Sequence, residues 1–287
     1  MKKNKKVITS IIVLLVIIVA LAGFMIYGMI KGESVIFSGK TEALYESTFN
    51  DINKIDVNVA SYDVELKEYD QEEIKVEITG NEKNKDKIKV EAKENELTIK
   101  QDGSMICIGL CFYKEAITIY IPENYELEYN HESSSGSIES NIEIQKGNIE
   151  TTSGDIKLTT MRNGSLKSTS GNIELEEGEI LEVSSTSGDI DIEKINNLTG
   201  SATSGNLTIN SLTNKINFGL ISGDVKINKF SINEDSSITA RSGNIKLGLE
   251  KEVFIDAKTN SGDIDINNSN TNPTLTLTTT SGDITAK

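Results

Sequence analysis

Tryptophan is absent from the 287 residues, histidine occurs once, and cysteine and proline occur twice each. Two cysteines and one histidine do not supply the four ligands of a structural zinc site. No serine or cysteine nucleophile stands beside His131 in a recognisable catalytic motif, and His131 itself is expected at the surface. Positive charge is also scarce, with 29 Lys and Arg against 44 Asp and Glu and a net charge of -15. Nothing here builds the basic groove that nucleic-acid binding by counterion release requires. A 3.6-residue apolar stripe is missing everywhere beyond the first thirty residues, which excludes a helical body. No cofactor-binding motif is present.

What is there begins with one long apolar run. Residues 7–30 (VITSIIVLLVIIVALAGFMIYGMI) carry no charge. At about 1.5 Å per residue they reach roughly 36 Å, enough to cross a ~30 Å hydrocarbon core. Lys2, Lys3, Lys5 and Lys6 precede the run, so the positive-inside rule assigns residues 1–6 to the cytoplasm and the bulk of the chain to the outside. A cleaved signal peptide is the rival, because Ala20-Leu21-Ala22 before Gly23 has the small-x-small form of a cleavage site. The apolar run continues well past that point, which favours an uncleaved transmembrane helix. On the outer side Cys107 and Cys111 (Cys-Ile-Gly-Leu-Cys) either form a disulfide or flank a β-turn, and both readings stand.

Residues 31–46 mix Gly, Ser and charge with no period and read as a juxtamembrane spacer. Residues 47–131 alternate strictly, as in Ile55-Asp56-Val57-Asn58-Val59 and Ile117-Thr118-Ile119-Tyr120-Ile121, which predicts strands with one wet face. Ser61-Tyr62-Asp63-Val64-Glu65-Leu66 is a degenerate form of the phrase that dominates the rest of the chain. Residues 47–131 are therefore expected to cap a repeat array, which needs atypical terminal units.

That phrase is Ser-Gly-Asp/Asn-aliphatic-polar-aliphatic. It starts at Ser135, Ser153, Ser170, Ser187, Ser204, Ser222, Ser242, Ser261 and Ser281, at intervals of 17 to 20 residues. A short fixed period with one aliphatic pattern per unit predicts an all-β solenoid of two-strand coils over residues 132–287. The fourth column, from Ile138 and Ile156 to Ile284, is aliphatic throughout, and the sixth nearly so. The fifth is polar, so one face of this strand is buried in every coil. Pairs such as Leu181 and Val183 or Leu275 and Leu277 mark a second strand. Met161, Ile195, Leu212 and Phe230 are expected to plug the corner between them. Glycine is expected to supply the tight turn through positive φ.

The third column runs Asp155, Asn172, Asp189, Asn206, Asp224, Asn244, Asp263, Asp283. In-register carboxylates would lie about 4.8 Å apart and repel, and alternation with Asn roughly doubles that spacing. A structural turn ladder, in which Asn amides donate to Asp, is the reading. A calcium ladder lacks the glycine-rich nonapeptide of calcium-binding β-rolls, and a glycosidase-like carboxylate pair lacks an implied pocket. Thr152, Thr169, Thr186 and Thr203 form an outward row that Ile221, Arg241 and Asn260 interrupt.

A lysine-flanked anchor, a degenerate β region and iterated Ser-Gly-Asp-Ile units resemble a bacterial family of β-strand-repeat "putative adhesins" of unknown function, which includes LiaG-like, cell-envelope-associated proteins. The resemblance covers roughly residues 47–287 and implies no catalytic residue. It implies a non-enzymatic, membrane-anchored, extracytoplasmic binding surface for an envelope protein or polysaccharide. Alternatives are a structural element that self-assembles through the edge of its C-terminal coil and, further off, a polysaccharide-acting enzyme on a β-helix.

Overall fold

The computed structural model describes residues 41–103 and 114–287. Residues 7–30, read as the anchor, and Cys107 and Cys111, read as a candidate disulfide, lie outside the described residues. Among the described residues no helix is long and apolar enough to cross a membrane. A single 3-10 turn occurs there, at Glu82–Lys87, where Asn81 Oδ1 accepts from the Lys83 N–H as an N-cap.

All other regular structure among the described residues is strand. Eight strands precede the repeats: β1 (Glu42–Phe49), β2 (Lys54–Val59), β3 (Asp63–Tyr69), β4 (Ile74–Gly80), β5 (Ile88–Lys93), β6 (Glu96–Gln101), β7 (Ala116–Pro122) and β8 (Glu128–Ser133). The stretch read as a spacer, 31–46, is thus already strand from Glu42. Five long strands follow, β9 (Ile138–Thr151), β10 (Ile156–Ser168), β11 (Ile173–Ser187), β12 (Ile190–Ser204) and β13 (Leu207–Ser222). Seven shorter ones complete the chain: β14 (Val225–Phe230), β15 (Ser236–Ser242), β16 (Ile245–Leu249), β17 (Phe254–Ser261), β18 (Ile264–Ile266), β19 (Thr274–Ser281) and β20 (Ile284–Ala286).

The result is a solenoid, but its long coils are not two separate strands. Between β10 and β9, Ile156–Leu158, Thr160–Met161 and Asn163–Ser168 all pair in parallel, and only Thr159 and Arg162 are skipped. The chain therefore bends at those two residues without leaving the ladder. The pairing of β10 with β11 skips Glu176 and Glu179 in the same way. The one break per coil is the Ser-Gly-Asp/Asn corner.

Inside lies a single ladder of aliphatic side chains. Ile156, Ile173, Ile190, Leu207, Val225, Ile245 and Ile284 are buried, as are Leu158, Leu175, Ile192, Ile209, Ile227 and Leu247 two residues on. Met161, Ile195, Leu212 and Phe230 fill the bend. In the coil that carries Gly178 instead, the Ile195 and Leu181 side chains close over the space. One buried column escaped the sequence reading. Two residues before the first four corners stand Ser133, Thr151, Ser168 and Ser185, all buried. Ser133 Oγ donates to the Gly136 carbonyl at 2.7 Å and Thr151 Oγ1 to that of Gly154 at 2.6 Å, while Ser168 Oγ accepts from the Gly171 N–H at 2.8 Å. Each hydroxyl ties its own corner shut, which lets a polar residue occupy the core at little cost.

Positive φ holds as expected at five corner glycines, Gly205, Gly223, Gly243, Gly262 and Gly282, and at the others a second constraint decides. Gly154 and Gly171 lie outside the positive-φ set. A Cβ on Gly171 would nonetheless overlap the Gly154 carbonyl of the coil beneath. Close approach of backbones, more than handedness, requires glycine here.

Coils do not stack in chain order at either end. Along one side of the solenoid, strands succeed one another as β5, β6, β2, β8, then the second halves of β9 to β13, then β15, β19, β17. Along the other they run β1, β4, β7, β3, the first halves of β9 to β13, then β14, β16, β20, β18. The coil of Ser281 is therefore inserted between those of Ser242 and Ser261. Its strands are paired on both sides, and the free edge belongs to β17 and β18. That corrects the expectation that the last coil in sequence would end the rod.

Candidate binding face

Two surface features run along the repeats. At the corners, each third-column side chain accepts through Oδ1 from the backbone N–H of the same column in the next coil. Asp155 takes the Asn172 N–H at 2.8 Å, Asn172 that of Asp189 at 3.0 Å, Asp189 that of Asn206 at 2.7 Å, and Asn206 that of Asp224 at 3.0 Å. Asp224 continues to Asn244 at 2.7 Å, Asn244 to Asp283 at 2.9 Å, and Asp283 to Asp263 at 2.9 Å. Amide donation from Asn to Asp, the bond expected from the alternation, occurs within this row at Asn206 Nδ2 to Asp189 Oδ1, 3.2 Å. The acceptor oxygen is common to Asp and Asn, so either residue closes the ladder. Among the described residues no group of three His, Cys, Asp or Glu is placed to hold a metal ion.

The second feature is a groove of about 600 Å³ on the first-strand side. Its walls are the outward fifth and seventh columns: Glu139 and Asn141, Lys157 and Thr159, Glu174 and Glu176, Asp191 and Glu193, Thr208 and Asn210. Leu158, Leu175 and Ile192 lie between the rows as the floor, their side chains turned into the core. Six coils contribute, so the groove extends about 24 Å at one coil per ~4.8 Å. Its walls are cross-linked at the far end, where Asn210 Nδ2 donates to Glu193 Oε1 at 2.6 Å and Asn228 Nδ2 to Asn210 Oδ1 at 3.2 Å. Beside it, Arg162 holds Glu143 at 2.8 Å and Glu177 at 3.2 Å across three coils, and these partners raise its guanidinium above its ordinary range. The fifth column was recognised from sequence only as wet. Stacking the seventh column as well would have exposed two parallel polar rows.

His131 is not at the surface. It is buried in β8, with Nδ1 at 3.2 Å from the Tyr129 hydroxyl and Nε2 enclosed without a partner. Burial pushes its imidazole down to about 4. The signal was available: Tyr129, His131 and Ser133 share the parity of the buried positions of β2, with which β8 pairs. Thr152, Thr169, Thr186 and Thr203 stand exposed as the outward row expected of them.

The family model described as Toastrack DUF4097 matches residues 52–196 and 178–287. No curated protein sequence matches the chain. Among solved structures, a "putative adhesin" from Parabacteroides distasonis superposes with a TM-score of 0.57 at 15% identity, covering 88% of this chain and 99% of its own. A "putative lipid binding protein" from the same species gives a TM-score of 0.50 at 17% identity, with 88% and 99% covered. At such identities the likeness is one of fold.

Proposed function

Because the chain belongs to the Toastrack DUF4097 family, we propose that it is a non-enzymatic, membrane-anchored extracytoplasmic β-solenoid that binds an extended envelope polysaccharide along its acidic groove. The observation that carries this reading is the groove itself, two rows of carboxylates, carboxamides and hydroxyls with the Lys157 ammonium among them, repeating over five coils and reaching a sixth at Asn228. A chain of sugars offers hydroxyls at a comparable repeat, and each would meet an acceptor or donor on both sides. The anchor, residues 7–30, would hold this face outside the membrane. A non-enzymatic role is supported by the descriptions of the two structural neighbours, an adhesin and a lipid-binding protein, neither of them an enzyme. The two descriptions differ, so the fold alone does not choose the ligand. Here the interior is packed with side chains, and a lipid would have to lie on an acidic exterior that repels anionic headgroups.

The test is co-sedimentation of the full-length protein in vesicles with purified envelope polysaccharide, compared with empty vesicles of anionic lipid as competitor. Glu174→Lys combined with Asp191→Lys should reduce polysaccharide retention about tenfold or more. Retention unchanged by that pair, or abolished by the lipid, overturns the reading.

A further inference from the structure

Among the described residues, the end of the rod formed by β17 and β18 is the one at which a parallel coil stops with its edge unpaired. β17 pairs only with β19 and β18 only with β20, so the outer backbone edge of this coil has no strand beside it. Two of the exposed large hydrophobic residues, Phe254 and Ile264, sit in this coil. Ile264 occupies the column that is buried in the interior coils and is 43% exposed only because nothing stacks above it. The charges change here too. At the positions where β19 carries Thr276 and Thr278, β17 carries Asp256 and Lys258. Both are exposed, and among the described residues neither forms an ion pair.

We infer that this edge is a self-recognition site: β17 pairs antiparallel with β17 of a second copy about a twofold axis at Ala257. Antiparallel register about Ala257 places Asp256 opposite Lys258 of the second copy and Lys258 opposite its Asp256, so the strand is complementary to itself. The backbone is oriented for it. Ile255 turns its N–H and C=O away from β19 to the Asn268 carboxamide, at 2.8 and 3.0 Å. Ala257, two residues on, points its own N–H and C=O the same way, where an added strand takes them. Asn268 already fills the place of a partner at Ile255 and keeps the seam short. At the opposite end the outermost β5 is less available, since its Lys89 is engaged by Asp102.

Geometry then sets what the contact does. β1, through which residues 1–40 lead into the rod, lies at the far end from β17. If those residues hold the chain on a membrane, the self-complementary edge is the tip farthest from it, and a twofold contact there joins rods on opposing membranes. One short seam is weak, and many on facing surfaces act together. The pairing does not depend on the groove-binding reading, whereas its placement at the membrane-distal tip rests on the anchor reading of residues 7–30.

Two populations of vesicles carrying the full-length protein, labelled in different colours, test this by light scattering and colour co-localisation. Wild-type vesicles should cluster. Lys258→Asp vesicles, whose seam sets carboxylate against carboxylate, and Asp256→Lys vesicles, whose seam sets ammonium against ammonium, should each cluster about tenfold less. Mixed together, the two variants again oppose unlike charges across the seam and should cluster as wild type, which also shows that each is folded. Wild-type vesicles that stay apart, a single variant that clusters normally, or a mixture that does not recover would each overturn the assignment.

Discussion

The two ends of this solenoid solve the same problem in opposite ways. At one end the repeating parallel ladder stops against antiparallel strands: β4 and β1 close one side and β5 the other. Aromatic bulk gathers there, with Tyr62 and Tyr129 fully buried and Tyr69 packed on Tyr120 at 5.5 Å. Ion pairs lace the outer strands, Lys75 joining Glu46 at 2.9 Å and Glu77 at 2.5 Å, and Lys54 joining Asp56 at 2.8 Å and Glu96 at 3.2 Å. At the other end no antiparallel strand is added, and the last coil is the least buried of all. A stack of equal coils needs a different kind of unit to finish it. Among the described residues that unit stands at the start, and at the other end only the loop 267–273 covers part of the edge, at Val253 and Ile255.

Both ends nevertheless share one device. At the first end the coil of β6 and β7 lies outside that of β2 and β3, which precedes it in sequence. At the other the chain forms the outer coil of β17 and β18 and then returns to fill the position inside it. The terminal strand β20 is consequently held between β16 and β18. The sharpest way to break this comparison uses three equivalent substitutions. Ile119→Asp at the closed end and Ile284→Asp in the returning coil each bury an unpaired carboxylate, and each should cost more than about 4 kcal/mol and abolish folding of its region. Ile264→Asp, in the exposed coil, should cost less than about 1 kcal/mol. Denaturant melts and hydrogen exchange read the result. A chain stacked in sequence order would show the reverse, with Ile284→Asp tolerated and Ile264→Asp not.

That rung order is also where the sequence was silent. Its period, the burial of Ile156 and Leu158 and their equivalents, and the wet fifth column are all local properties of one strand, and alternation reports them directly. The units at Ser261 and Ser281 carry the same Ser-Gly-Asp-Ile phrase, so nothing within them says which lies outside. The decision rests on the short segment after Leu249 and on the Asn267–Pro273 loop, with Asn268 bracketing Ile255 and Asp235 Oδ1 accepting from the Thr274 N–H at 2.8 Å. Buried hydroxyls such as Thr151 and Ser168 were hidden for another reason. They sit next to a turn, where Ser and Thr are ordinary, and only their bonds to the corner glycines show them to be core. The groove was half legible: its rows are visible in the columns, but concavity is not a sequence property.

A middle-sized effect separates the ends by pH. His131 belongs to the closed half and is buried neutral, its imidazole lowered from 6.5 to about 4 by desolvation. The unfolded chain binds this proton near pH 6.5, whereas the folded chain resists it until about pH 4. The stability that neutral His131 permits is therefore full above pH 6.5 and is lost progressively as pH falls toward 4. The loss amounts to about 3 kcal/mol across the window and does not deepen further below it. Denaturant titrations of the wild type and of His131→Leu at several pH values isolate this contribution by difference. Hydrogen exchange at pH 4.5 should show residues 54–140 opening ahead of 236–286, and equal opening of both ends would remove the distinction.

The smallest expected effect lies in the corner ladder, and its sign should differ between the middle and the open end. Asn206→Asp puts a carboxylate between Asp189 and Asp224, giving three like charges in a row at about 4.8 Å spacing. The new side chain keeps an Oδ1 to accept from the Asp224 N–H, so no backbone bond is lost, and only repulsion and the Asn206 amide bond are at stake. In an exposed row this costs about 1 kcal/mol at neutral pH and shrinks with salt or acid, which screen or neutralise the charges. At the open end the crowding already exists, because Asp283 and Asp263 are consecutive rungs of the ladder. Asp283→Asn should relieve it while keeping the acceptor, and should stabilise by a few tenths of a kcal/mol to about 1 kcal/mol. Calorimetry at low and high salt, with calcium and with chelator, reads both. A ladder built for calcium would instead show a calcium-dependent rise in the wild-type melting temperature, stronger in Asn206→Asp and weaker in Asp283→Asn. The one-way bonding from each Oδ1 to the next backbone N–H argues for the first outcome, since it gives the row a structural task that Asp and Asn perform alike.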